Sequence, residues 1–194
     1  MVHKPPGVVT VPDRQGGPSV ATELGMLPVH RLDRETSGVL VLARSVAGQR
    51  MLSESFATRK VGKRYLAVVV GAAPDEAVVD VPLGEWRRGR VQIGMGKEAR
   101  TRVRRWWEEG GRSGVCAEPE TGRTHQVRAH LCHLGHPIVG DPDYGGPEAS
   151  RLYLHAWQLA LPWPSPDHRL VLTAPPPPDF GPPAAAEPCW PSPW

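Results

Sequence analysis

The stretch that most restricts the fold is Val39-Leu40-Val41-Leu42-Ala43, an unbroken apolar run bounded by Gly38 and Arg44. A run of this kind reads as a strand buried on both faces. It follows directly on a polar nonamer, His30-Arg31-Leu32-Asp33-Arg34-Glu35-Thr36-Ser37-Gly38. The junction puts Asp33 on a loop anchored by a rigid core strand, with Arg31 and Arg34 on either side. Beside two cations a carboxylate stays ionised at neutral pH. It is then available as a nucleophile or a base. Read alone, the triplet fits an ordinary surface loop with ion pairs better than it fits a site.

The rest of the chain is patterned as a mixture of strands and a few helices. Residues 2–4 form a short strand that ends at the turn Pro5-Pro6-Gly7. A short helix fits residues 18–24. Ser45 is a good N-cap for a helix over 46–59, with Met51, Leu52, Ser55 and Phe56 on its stripe. Residues 60–71 hold a β-branched run that reads as a central strand. Short strands at 78–83 and 90–93 flank a Gly-rich and Arg-rich turn at 84–89. Residues 96–107 alternate basic with small or apolar side chains, a strand with one charged face. That face suits an RNA backbone and a solvated surface equally well. A strand at 113–118 precedes a helix over 120–131, where Val127, Leu131 and Leu134 share one face. Strands at 152–161 and 169–173 close the sheet. Such a pattern is α+β.

Length, charge and cysteines narrow the class. A chain of 194 residues is one domain by prior, large enough for a hydrophobic core. No apolar run approaches the roughly 20 residues that span a bilayer. The N-terminal residues lack the charged-then-apolar pattern of a signal peptide, so a cytoplasmic protein is expected. Cys116, Cys132 and Cys189 are widely spaced, which suits reduced thiols rather than a disulfide framework or a thiolate zinc site. The net charge is +3, and nearly all the basic residues are Arg. Arginine offers a planar fork for phosphate and can stack on bases, which favours a nucleic-acid partner weakly.

The nonamer and the aliphatic run after it strongly resemble the signature of the RluA-type RNA pseudouridine synthases. Further elements resemble the same family in collinear order over residues 1–173. They are His3-Lys4-Pro5-Pro6-Gly7, Lys63-Arg64-Tyr65-Leu66-Ala67-Val68-Val69-Val70-Gly71, Ala99 with Thr101, and Gly122-Arg123-Thr124-His125-Gln126-Val127-Arg128-Ala129-His130. Gly135 to Gly145 and Leu154-His155-Ala156 complete the series. The sequence departs from the family at His3, where Asn is usual, and at Val11, where His is frequent. The family usually has a strand ahead of the His3 element, so the reading is of a misassigned start or a minimal member.

What the resemblance implies is specific. The fold is the pseudouridine synthase fold, a mixed and largely antiparallel sheet with a few packed helices. Residues 1–173 form the catalytic domain, and the Pro-rich residues 174–194 are expected to be a disordered or polyproline tail. The activity is isomerisation of uridine to pseudouridine in structured ribosomal or transfer RNA, with no cofactor and no metal. Asp33 is the catalytic carboxylate and Tyr65 stacks on the base. Arg128 pairs with Asp33, with Arg123 as the alternative. His30, Arg31, Arg34, Thr36, Arg123 and His125 are the expected RNA-binding residues. A monomer is expected. Two other classes fit parts of the chain: a non-catalytic RNA-binding module, and a metal-free nuclease using His125 and His130. The cluster His125, His130, His133 and His136 lacks the spacing of a zinc helix and reads as structural hydrogen bonding.

Overall fold

The computed structural model describes residues 1–12, 16–163, 165 and 167–180. In chain order the elements are β1 (Val2–Lys4), α1 (Val20–Glu23), β2 (Leu27–Pro28), β3 (Ser37–Leu40), β4 (Leu42–Ala43), α2 (Val46–Ala57), β5 (Gly62–Val70), β6 (Glu76–Asp80), β7 (Leu83–Arg87), β8 (Arg90–Ile93), β9 (Arg100–Glu109), β10 (Arg112–Pro119), α3 (Gln126–His133), β11 (Leu154–Pro162) and β12 (Arg169–Thr173). The sequence reads as one catalytic domain over 1–173. By its internal contacts the backbone falls into two compact units: residues 1–63 with 155–175, and residues 64–154 with 176–180. No helix among the described residues is long and apolar enough to cross a membrane.

In the first unit β1 runs antiparallel to β3, β3 parallel to β11, and β12 antiparallel to β11. Its core gathers Val39, Val41, Ala43, Val61, Leu159 and Leu161, with Leu52 and Phe56 of α2 packed against it. The Ser45 side chain accepts from the Gly48 N–H, as an N-cap should. The apolar run is fully buried, yet it is two strands, because Val41 leaves the ladder.

In the second unit the sheet order is β5-β10-β9-β6, antiparallel throughout. Val69, Val103, Val115 and Ala117 from the sheet meet Val127 and Leu131 of α3. Close packing dictates Gly114 at the bulge in β10, because a Cβ there would lie 1.8 Å from Trp107 Nε1. The Gly-rich stretch expected as a turn is mostly strand, since 83–87 and 90–93 pair as a hairpin. Helix α3 begins at Gln126, not near 120, because His125 sits at φ 52° and interrupts the helical path.

Cys132 is a free thiol, and Cys116 is buried in β10. One expectation changes. The Pro-rich segment packs at its start: Ala174 and Phe180 are buried, and the Phe180 ring lies 5.5 Å from that of Tyr153. Residues 181–194 of the expected tail lie outside the described residues.

Candidate active site

The Asp33 loop of the first unit is held by its backbone. Thr10 brackets Leu32: its hydroxyl donates to the Leu32 carbonyl and accepts from the Leu32 N–H, both at 3.1 Å. Lys4 is wholly buried, and its Nζ donates to the carbonyls of Val8, Pro5 and Arg34 at 2.7, 2.8 and 2.9 Å. The Gly7 N–H donates to the same Arg34 carbonyl at 2.9 Å, and the Thr36 N–H donates to the Asp33 carbonyl at 3.1 Å. The residues on each side of Asp33 are thus clamped, while Asp33 itself is half-buried and Arg31 and Arg34 are exposed. Burial pulls the Lys4 ammonium down to about 8, against the opposing pull of the Glu35 and Asp33 carboxylates. A buried cation therefore acts electrostatically on the candidate carboxylate. Gly38 ends the loop at φ 122°, where a Cβ would lie 2.1 Å from the Ala156 carbonyl oxygen. Only glycine lets β3 approach β11 this closely.

Two further loop residues serve the scaffold. The His30 Nε2 accepts the Val41 N–H at 2.9 Å, and the ring stacks on Phe56 at 4.5 Å. That bond places the ring proton on Nδ1 and satisfies the donor freed by the strand break. Burial, with Lys63 adding to it, pushes His30 down to about 4, so the ring is neutral at physiological pH. Thr36 is buried, and its hydroxyl has no hydrogen-bond partner among the described residues.

The remaining candidates lie in the second unit. Tyr65 is half-buried on β5 and packs against the core. Its neighbour Arg64 turns the other way into a buried ion pair with Glu118 at 2.5 Å. Arg128 is gripped by carboxylates. Its Nε and Nη2 donate to the two oxygens of buried Asp141 at 2.7 and 2.6 Å, and Nη2 also donates to Asp143 at 2.9 Å. Its Nη1 lies 3.1–3.2 Å from the ring nitrogens of His125, and its guanidinium carbon 5.0 Å from the Tyr144 ring centre. Burial raises the Tyr144 hydroxyl to about 12, so it stays protonated. Arg123 is turned elsewhere, with its Nε donating to the Glu98 carbonyl at 3.0 Å.

The nonamer candidates thus fall on one clamped loop, and His125 and Arg128 fall in one ion network without Arg123. Sequence reasoning missed the roles of Lys4, Thr10, Gln126 and Asp141. Gln126 joins the motif to β9, with its Nε2 donating to the Arg100 carbonyl and to Thr101 at 2.9 and 3.0 Å. Lys4, Gln126 and Asp141 all stand inside the motifs, but their partners are distant in sequence. The histidines are structural in part. His130 is wholly buried, with Thr101 at 2.8 Å from Nδ1 and the Val81 carbonyl at 3.0 Å from Nε2. Burial keeps it neutral. So enclosed, it is a poor acid or base for a solvent-exposed RNA strand.

Comparison with known proteins points one way. A family model described as RNA pseudouridylate synthase matches residues 1–133. An uncharacterized RNA pseudouridine synthase of Chloroflexus aurantiacus is 43% identical over 159 residues, covering 78% of this chain and 50% of that protein. The dual-specificity RNA pseudouridine synthase RluA of Yersinia pestis is 41% identical over 180 residues, covering 83% and 86%. The chain therefore spans about half the length of the first relative and most of the second. Among solved structures, the human RNA pseudouridylate synthase domain containing 4 matches at a TM-score of 0.76 with 28% identity, covering 92% of this chain and 85% of that one.

Proposed function

Because the chain belongs to the RNA pseudouridylate synthase family, we propose that it isomerises specific uridines of ribosomal or transfer RNA to pseudouridine. The reaction breaks the bond from ribose C1′ to uracil N1, turns the base, and joins C1′ to C5. The C5 proton is lost and N1 gains one, so atoms balance without a redox change. The single observation that carries this reading is the Asp33 loop. Its backbone is clamped on both sides of the carboxylate, and a buried ammonium lies within electrostatic reach. A fixed, ionised carboxylate is the main thing this chemistry asks of a protein. Attack at C1′ and proton removal from the ribose both need that form.

In this reading Asp33 is the catalytic residue, Tyr65 stacks on the uracil, and Arg128 is the supporting cation. Arg31, Arg34, Thr36, His30, Arg123 and His125 belong to the RNA-binding surroundings, with His30 acting through the backbone it holds. The target lies in folded RNA and must leave its stack, at a cost of a few kcal/mol. The enzyme works in the cytoplasm as a monomer. The test is to incubate the protein with unmodified ribosomal and transfer RNA transcripts and map pseudouridine. New sites at defined uridines support the reading. RNA binding with no new site contradicts it and leaves a binding module.

A further inference from the structure

The hairpin of β7 and β8 carries charge that the fold does not explain. On neighbouring β9, Arg100, Arg102, Arg104 and Arg105 each meet a carboxylate, those of Glu120, Glu118, Glu76 and Asp75, at 2.5–3.7 Å. At the hairpin tip, Arg87 has among the described residues only the exposed Glu85, two residues away on its own strand, at 3.0 Å. Arg88 and Arg90 have no ion pair among the described residues. Arg87 and Arg90 are also register partners, so two like charges stand opposite each other across the turn. Such a pair is destabilising. Between them Arg88 adopts φ 50° and Gly89 φ 89°. A two-residue loop with positive φ at both positions is best served by Asn-Gly, and a long basic side chain at the first of them is strained. Three departures from what folding favours thus meet within four residues.

The tip is nevertheless fixed in place. The Tyr144 hydroxyl accepts the Val91 N–H at 2.8 Å. Gly89 approaches Asp143 so closely that a Cβ would lie 2.9 Å from its Oδ1. Between the hairpin and this support runs a groove of about 850 Å³, lined by Arg87, Arg88, Arg90 and Ile93 on one side and Asp143 and Tyr144 on the other. The Asp143 carboxylate is already engaged by Arg128. Trp86, on the same hairpin, is 57% exposed, a flat surface of the kind on which a nucleic-acid base stacks.

We propose that the β7–β8 tip is a phosphate-binding arm for the RNA substrate, in which Arg87, Arg88 and Arg90 grip the backbone. This rests on the functional reading above and adds the surface by which RNA is held. Arginines in a fixed array, two of them without an ion pair among the described residues, release counterions when they meet phosphates, so their contribution is salt-dependent.

The test uses the full chain and a fluorescein-labelled RNA stem-loop of seventeen nucleotides with uridines in its loop. Binding is read by anisotropy from 50 to 200 mM KCl. The triple variant Arg87→Gln, Arg88→Asn, Arg90→Gln is expected to bind about tenfold more weakly at 100 mM KCl, with a log–log salt slope shallower by about two. Arg88→Asn alone should weaken binding while melting at or above the wild-type temperature, a split that a structural role would not give. Arg104→Gln removes one charge from β9 and should leave affinity and slope unchanged. An unchanged affinity and slope in the triple variant overturns the arm. Equal weakening by Arg104→Gln also overturns it, since net charge would then be the cause. A wild-type protein that does not bind the stem-loop overturns it as well, and pseudouridine mapping decides separately whether the enzymatic reading falls too.

Discussion

The two units fix their motif residues by opposite means. In the first, the Asp33 loop is held through peptide groups: Lys4 on three carbonyls, Thr10 on both sides of Leu32, and His30 on the Val41 N–H. In the second, Arg128 is held by charge, with Asp141 chelating it and Asp143 adding a third bond. The difference teaches what each motif demands. A carboxylate that must react needs a fixed position, and here the peptide groups on either side of it are what the clamp holds. A buried guanidinium has to be neutralised to be buried at all.

The comparison breaks most visibly at Asp141. Asp141→Asn removes the charge of the carboxylate that chelates the buried Arg128 guanidinium. The loss should be about 3 kcal/mol of stability, read as a lowered urea midpoint. A change under about 0.5 kcal/mol would mean that Arg128 is not held by charge. Next is the acid response of the first unit. His30 titrates near 6.5 when unfolded and near 4 when folded. Its contribution is therefore complete above pH 6.5 and is lost as pH falls towards 4, by about 3 kcal/mol at the limit. His30→Gln keeps an acceptor for the Val41 N–H and removes the titration. Its melting temperature should fall less than that of the wild type between pH 7 and pH 4.5, and parallel curves would refute the role. The smallest effect is at Lys4. Lys4→Met strips three carbonyls of a charged donor but also removes a buried ammonium, for a net loss of about 2 kcal/mol. Faster hydrogen exchange at the Thr36 amide, relative to the second unit, would localise that loss to the loop, and uniform exchange would deny it.

Local features were readable from the chain. Ser45 caps α2 where its side chain predicts, and 169–173 is the expected strand. Asp33 falls on a loop leading into buried strands, and the nonamer and Gly122–Gly145 elements carry the family resemblance in sequence alone. What escaped the sequence depends on distant partners. The break at Val41 is made by a histidine eleven residues away. The arginines of β9 look like an RNA-tracking face, but Glu76 stands in register with Arg104 and Glu118 with Arg102 on the flanking strands, and both pairs are ion-paired. No local pattern in 96–107 reports those acids. The hairpin arginines were hidden for the reverse reason: a Gly-rich stretch reads as a turn, and only pairing reveals an arm.

The most direct test of the central claim is Asp33→Asn, assayed for pseudouridine formation on the transcript that the wild-type protein modifies. The substitution keeps size and polarity and removes only the charge. The prediction is loss of turnover by at least about a thousandfold, with the melting temperature and RNA affinity close to wild type. Turnover within about tenfold of wild type would contradict the account, because the loop would then be clamped around a residue the reaction does not use.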